Sequence, residues 1–563
     1  LRGAIPPWRD RDEAIPSLGA LTRGWLRHFV FRNNKNIVKL HQNKNSVAVL
    51  ILVAILAVFL IVSFSQINDY GVTWDEDLHY KTGEMNIDVF AGNGSIEDIN
   101  NFSNLRYYGP FADMIGHSFY ELFTQKLGWL DTVAGHHVHI ILFAALMIGA
   151  VYWLAYKTHG QIAAIFATLF LIFFPRFIGH SQVNMKDLPV TAMLTLGLLV
   201  LYLAVTKKKA WLFVLGGVIF GLNFSIKVNA VWVPIILVTW FLFAYRDKIW
   251  QGLTRRRELG WSAKHGFKSW GWGLLVAPFA AAAAAVATWP WTWPSPISRM
   301  LEVVQYLGSF QWEGKIWYQD LIFTVDELPW HYAPVLLFYV TPILLMVFAA
   351  LGLVLCLKSF ITLKNRGEIL YVVWFVLALG LVIALDIGLY DGIRHFFMVV
   401  PAMVLLGGVA VAWVYGLFKK IPAKSWRRFA YTVFTVVMVF FFGLIFRKMI
   451  QIHPYNLYYY NEVIGGMGGA YHYVEVGYWG QEFREGVEWL NEHAEEGARV
   501  AILPTDKMGR RYLRDDLILV KETQDPDYAI HVTKTAFEPF KDKEVIYIVE
   551  VDGAPLLKVK RVK

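Results

Sequence analysis

The sequence predicts a polytopic α-helical membrane protein of about eleven spans with a small C-terminal α/β domain. Three observations carry this reading. Apolar runs of about 20 residues, the length that crosses a ~30 Å hydrocarbon core, recur along the first 446 residues. Hydrophobic residues make up 56% of the chain and charged residues only 17%, and mean hydropathy is +0.42, which does not describe a soluble protein of 563 residues. Aromatics reach 16% and crowd the ends of the runs, where amphipathic rings settle at the membrane interface. Disordered, collagen-like and disulfide-scaffold classes are excluded. Cys356 is the single cysteine, so neither an intramolecular disulfide nor a thiolate cluster can form, and it reads as a small apolar filler.

Taken in order, residues 1–45 form a basic cytoplasmic segment. The apolar runs lie near 46–65, 137–156, 161–178, 188–205, 211–226, 229–245, 271–289, 334–357, 369–388, 396–418 and 428–446. The first is followed by acidic Asp75, Glu76 and Asp77 rather than a small-residue cleavage site, and so reads as a span and not a removable signal. Basic clusters at Arg2 to Lys44, Lys207 to Lys209, Arg246 to Lys268, Lys358 to Arg366 and Lys419 to Arg428 flank the runs as cytoplasmic loops do. The net charge of +9 is therefore mostly a topology signal, and no nucleic-acid partner is expected. An odd span count then leaves the N-terminus inside and the C-terminus outside a cell (plasma) membrane.

Three segments fall on the external side of the 46–446 membrane domain or beyond it: a first loop at 66–135, a second at 290–333, and the tail from 447 to 563. In the second, Met300, Val303, Val304 and Leu307 follow helical spacing, predicting a helix lying in the interface. In the tail, Phe483, Val487 and Leu490 form one helical stripe. Strand-like runs follow at 498–503, 517–521, 527–533 and 544–562, the last split by a hairpin signal, Asp552-Gly553.

Charged groups near the bilayer centre cost about 2.5–3.5 kcal/mol or more, so a cluster of them at span ends on one side invites a functional reading. Asp75 and Glu76 follow the first span. His180, Asn184, Lys186 and Asp187 link the third and fourth; Lys227 and Asn229 join the fifth and sixth; Asp386, Tyr390, Asp391, Arg394 and His395 join the ninth and tenth. Each has a plainer alternative. Asp75 with Glu76 suits a helix N-cap or a solvated edge, Asp187 before Leu188-Pro189 suits an N-cap, and Lys227 suits a snorkelling anchor. Together they match one chemistry. A lipid-phosphate sugar donor carries an anionic leaving group that Lys and Arg neutralise, and an acceptor hydroxyl needs a carboxylate to take its proton.

The order and loop placement of several motifs also carry a resemblance. These are Thr73-Trp74-Asp75-Glu76, Asn184-Met185-Lys186-Asp187-Leu188-Pro189, Lys227-Val228-Asn229-Ala230 and Pro329-Trp330-His331-Tyr332. Tail segments add His453-Pro454-Tyr455, Tyr460-Asn461-Glu462 with Gly465-Gly466, and Tyr478-Trp479-Gly480. The chain resembles GT-C glycosyltransferases that use polyprenyl-phosphate sugars, close to the protein O-mannosyltransferase and aminoarabinose-transferase-like branch, glycosyltransferase family 39-like.

That resemblance implies a GT-C fold with paired interfacial helices in the first external loop. It implies inverting transfer of a sugar, mannose among the candidates, from a polyprenyl-phosphate-linked donor to a protein or a lipid or glycan acceptor. Asp75 is then the general base, Glu76 a neighbour shaping acceptor contacts, Asp187 with Asn184 the second acidic motif, and Lys227 and Arg394 the donor phosphate partners. His79, Tyr108, Trp330, His331 and Tyr390 fall in the acceptor or sugar vicinity. No cofactor is firmly implied. A divalent metal on Asp75, Glu76 and His79 is the less favoured alternative. The tail motif from His453 to Gly480 reads either as a sugar-stacking surface or as a turn-rich connection that docks the tail. Two other functions compete with the enzyme, a non-catalytic membrane scaffold of the same fold and a lipid or anion transporter, though no symmetry-related halves favour the latter.

Overall fold

The computed structural model describes residues 44–254, 263–309, 312–384, 388–533 and 538–563. The chain divides into two compact units, Leu1–Ala57 and Val58–Lys563. Among the described residues, eight helices are long and apolar enough to cross a membrane, nine when one bent pair counts as a span. The protein is a multi-span membrane protein.

Where the helices depart from the apolar runs, local backbone chemistry is the reason. The 161–178 run is broken into Gln161–Ile172 and Pro175–Val183, bent by 65°. Pro175 supplies no N–H and holds Phe174 in extended backbone, which ends the first helix. The expected 334–357 span is likewise interrupted. A short helix, Tyr332–Val340, stops at extended Thr341 before Pro342, and the long helix is Ile343–Thr362. The runs at 211–226 and 229–245 form the shorter apolar helices Ala210–Phe224 and Trp232–Ala244, separated where Lys227 turns to an extended conformation and a 3-10 turn, Val228–Val231, follows. The helix Lys424–Gln451 runs a few residues past 447. Asp386 lies outside the described residues.

The two loops that follow the first and seventh apolar runs pack on one another. Helices Glu76–Ala91, Ile96–Phe102 and Phe111–Tyr120 come from the first, and helix Pro296–Ser309 from the second. Ile99, Trp289, Trp291 and Val303 form their shared core, with Met300 and Leu307 packed against it. The indole N–H of Trp289 donates to Arg106 O at 3.1 Å, so the apolar contact also satisfies a backbone acceptor. Val304, one member of the expected apolar face, is exposed.

In the tail, helix Phe483–His493 buries Phe483, Val487 and Leu490 as its stripe requires. Strands β1 (Ile316–Tyr318) and β2 (Leu321–Phe323) form a hairpin in the second loop. Strands β3 (Arg499–Leu503), β4 (Ile518–Leu519), β5 (Tyr528–Val532), β6 (Glu544–Val551) and β7 (Ala554–Arg561) form a mixed sheet of order β4-β3-β5-β7-β6. Asp552 and Gly553 both take positive φ, which closes the β6–β7 hairpin with the twist its strands need.

Candidate active site

The second acidic motif is organised by Asn184 just ahead of the helix Asp187–Lys207. Its Oδ1 accepts from the backbone N–H of Asp187 at 2.8 Å and of Lys186 at 3.2 Å. With Asn184 holding these amides, the Asp187 side chain is released from the N-cap role and turns to cations. Lys227 Nζ lies 2.5 Å from Asp187 Oδ1, and an Arg394 nitrogen lies 4.0 Å from Oδ2. Arg394 makes a second ion pair at 2.8 Å with Asp391 and lies over the Tyr390 ring at 4.6 Å. The Lys227 side chain is 12% exposed and its ammonium is committed to a carboxylate.

Asp187 and Arg394 line a pocket with Thr191, Asn229, His395 and Met398. Burial alone would lower the Arg394 guanidinium, but Asp391 and then Asp187 hold it above its usual value, so it stays charged. His395 is pushed well below the usual histidine value by burial, and then by Arg394 and Lys227, so it stays neutral.

Asp75 and Glu76 are neighbours with opposite environments. Asp75 occupies the N-cap position of Glu76–Ala91, yet its side chain caps nothing. It is exposed, and among the described residues its carboxylate has no hydrogen-bond or ion-pair partner. It acts on Arg394, Tyr390 and Tyr108 more weakly than other charged groups do, after Asp391 and Asp187 at Arg394.

Glu76 is enclosed at 1% exposure. One oxygen accepts from Thr73 N–H at 2.8 Å and Thr73 Oγ1 at 2.9 Å; the other accepts from Tyr80 OH at 2.5 Å and lies 2.8 Å from His137 Nε2. Both oxygens are taken, and through Thr73 Glu76 braces the turn that carries Asp75. Burial would raise its carboxyl, but His137, Tyr80 and Thr73 together hold it below the usual value.

His79 turns to Asp113 at 3.4 Å, while Glu76 turns to His137, so Asp75, Glu76 and His79 point to different surroundings. Asp113 also pairs with Lys186 at 2.7 Å, and Lys186 donates to Gly109 O at 2.6 Å. This pins the Tyr107-Tyr108-Gly109 strip beside the second acidic motif. His331 lies 2.7 Å from Tyr318 OH of β1, and Trp330 is exposed beside it. Among the described residues, neither bonds to the Asp187 group.

Several members escaped sequence reasoning. Asp391 and Lys186 stand among the span-end groups named from the sequence, where they carry no role of their own. His136, His137 and His139 open a long apolar helix, Thr132–His159, and that run of imidazoles was a usable signal for a polar partner nearby. Arg176, fully buried within an apolar run, was another.

Residues 122–254 match the sequence model of the family described as dolichyl-phosphate-mannose-protein mannosyltransferase. No curated protein matches the chain. Solved structures that align with it include ArnT from Cupriavidus metallidurans bound to undecaprenyl phosphate, at 14% identity over 90% of this chain and 97% of that one, with a TM-score of 0.47. The Archaeoglobus fulgidus oligosaccharyltransferase in its apo form aligns at 12% identity over 84% and 65%, TM-score 0.45. Arabinofuranosyltransferase AftD from Mycobacteria aligns at 14% over 91% and 40%, TM-score 0.42. Over residues 122–254, which hold Asn184, Lys186, Asp187 and Lys227, the chain is similar to the dolichyl-phosphate-mannose-protein mannosyltransferase family.

Proposed function

We propose that the protein is a membrane glycosyltransferase that moves a sugar from a polyprenyl-phosphate donor to a hydroxyl of a protein, lipid or glycan acceptor at the external face of the membrane. The observation that supports this best is the convergence of Lys227 and Arg394 on Asp187. Asp75 takes the acceptor proton as the acceptor oxygen attacks the anomeric carbon. The bond from that carbon to the phosphate oxygen breaks on the opposite side, inverting the centre, and polyprenyl phosphate leaves with the electron pair. Lys227 and Arg394 offset the charge on the departing phosphate, a contribution that grows where water is excluded. The matched family, dolichyl-phosphate-mannose-protein mannosyltransferase, favours mannose as the sugar.

The test is incubation of purified protein with a panel of polyprenyl-phosphate sugars and a hydroxyl acceptor, following release of polyprenyl phosphate. Release with one sugar is expected, slowed by about 10² to 10⁴ in Asp75→Asn protein. No release from any donor by folded protein refutes the reading.

A further inference from the structure

The Tyr478-Trp479 pair of the tail touches both halves of the site at once. Trp479 donates its indole N–H to Asp391 Oδ2 at 3.3 Å, the same oxygen that pairs with Arg394 at 2.8 Å, and its ring lies 5.5 Å from the Arg394 guanidinium. The carbonyl of Tyr478 accepts the indole N–H of Trp74 at 2.7 Å, and Trp74 immediately precedes Asp75.

We infer that Trp479 is a positioning residue for Arg394, acting through Asp391, and that Tyr478 ties the same segment to the turn that carries Asp75. The inference rests on the glycosyltransferase reading and names what holds its two working groups at a fixed separation.

The segment is built to stay put. Tyr478 and Trp479 are 1% and 6% exposed. Arg176 donates to Tyr478 OH at 3.0 Å, and the Trp479 backbone N–H donates to Tyr458 OH at 3.2 Å, which in turn donates to Glu482 at 2.9 Å. Gly477 and Gly480 flank the pair at φ +72° and +82°, a conformation open to glycine that lets the chain turn sharply on either side. Gly392, next to Asp391, has φ +70°, and a Cβ there would stand 2.6 Å from Tyr478 OH, so the turn carrying Asp391 rests directly on the pair. Docking of an apolar surface alone needs none of these directed bonds to the two loops.

Trp479→Phe keeps the ring and deletes the N–H donor to a charged acceptor. The expected result is about a tenfold or greater rise in donor KM, with a matching rise in Kd for polyprenyl phosphate and little change in kcat. Trp74→Phe, which frees the Asp75 turn, is expected to lower kcat with donor KM unchanged. In an Asp391→Asn background, Trp479→Phe should add nothing further. Trp479→His retains a ring N–H and should lie nearer the wild type than Phe does, which keeps the test sharp if the Phe variant folds poorly. Folded fraction is checked by thermal unfolding in detergent.

Wild-type KM and Kd in folded Trp479→Phe protein, effects that add fully in the Asp391→Asn background, or a His variant no better than Phe each overturn the inference while leaving the glycosyltransferase reading in place. An inactive wild type overturns that reading and the inference together.

Discussion

Lys227 and Asp187 form a 2.5 Å ion pair whose side chains are 12% and 4% exposed, bringing together two span ends that the sequence separates by 40 residues. Asp187 thus serves two cations, since Arg394 approaches its other oxygen. The carboxylate holds both positive groups in one place, and Asp391 adds a second counter-charge on the far side of Arg394.

Removing one partner of a buried pair leaves an uncompensated charge, at a cost of about 3–5 kcal/mol. Lys227→Gln is therefore expected to lower the unfolding midpoint and to weaken donor affinity and turnover together. Asp187→Asn should lower stability by a similar amount, and the double variant by less than the sum. Donor Kd, specific activity and thermal unfolding on equal amounts of folded protein check this. A Lys227→Gln protein indistinguishable in all three would remove Lys227 from the site.

Asp75 and Glu76 should separate cleanly on mutation although they are adjacent. Asp75→Asn removes an exposed carboxylate that supports no local bond, so the unfolding midpoint should hold while turnover falls by about 10² to 10⁴, the usual contribution of a general base. Glu76→Gln disturbs four hydrogen bonds to three residues in a closed interior, so it should destabilise the fold by roughly 1.5–3 kcal/mol or more. The reverse pattern, a stable Glu76→Gln enzyme with lost turnover beside an active Asp75→Asn enzyme, would exchange their roles.

Charged residues beside apolar runs stand out in a sequence, which is why Asp75, Asp187, Lys227 and Arg394 were legible. The pairs that brace them were not. Glu76 with His137, Asp391 with Trp479 and Lys186 with Asp113 are joined across 61, 88 and 73 positions, and pairing over such separations follows from helix packing rather than spacing. Span edges were misread where hydropathy outweighed a residue that breaks helices: Pro175 and Pro342 sit inside apolar runs and interrupt them. The tail strands were legible almost to the residue, because alternation and the Asp552-Gly553 turn are local signals.

Acid should destabilise the first loop through Glu76 and Asp113. For Asp113, burial would raise the carboxyl, but Lys186 and His79 hold it below its ordinary 3.8, as His137, Tyr80 and Thr73 hold Glu76 below its ordinary 4.5. A carboxyl depressed in the folded state binds fewer protons there than when unfolded. Its stabilisation is complete above the ordinary value and is lost as pH falls from there through the folded one. The unfolding midpoint should thus be insensitive to these two groups from pH 7 to about 5 and fall below about 4.5. Glu76→Gln should lower the plateau and flatten the fall; an unaltered slope in that variant would assign the acid loss to other groups.

The face of the membrane on which the site opens rests on the basic loops, and labelling decides it. Asn93, in the first loop, and Lys507, in the tail, are exposed, and so is Lys364 between the helices Ile343–Thr362 and Arg366–Ala384. The native thiol, Cys356, is buried and is replaced by Ser to clear the background. With basic loops inside, Asn93→Cys and Lys507→Cys should react with a membrane-impermeant maleimide in intact cells, and Lys364→Cys should react only after permeabilisation. Asn93 and Lys507 test the same side through two different parts of the chain, so a slip of one span in the count would split them. Labelling of Lys364→Cys alone in intact cells would invert the protein. It would also move Asp75, Lys227 and Arg394 to the cytoplasmic face, where the donor would have to be presented from the inner leaflet.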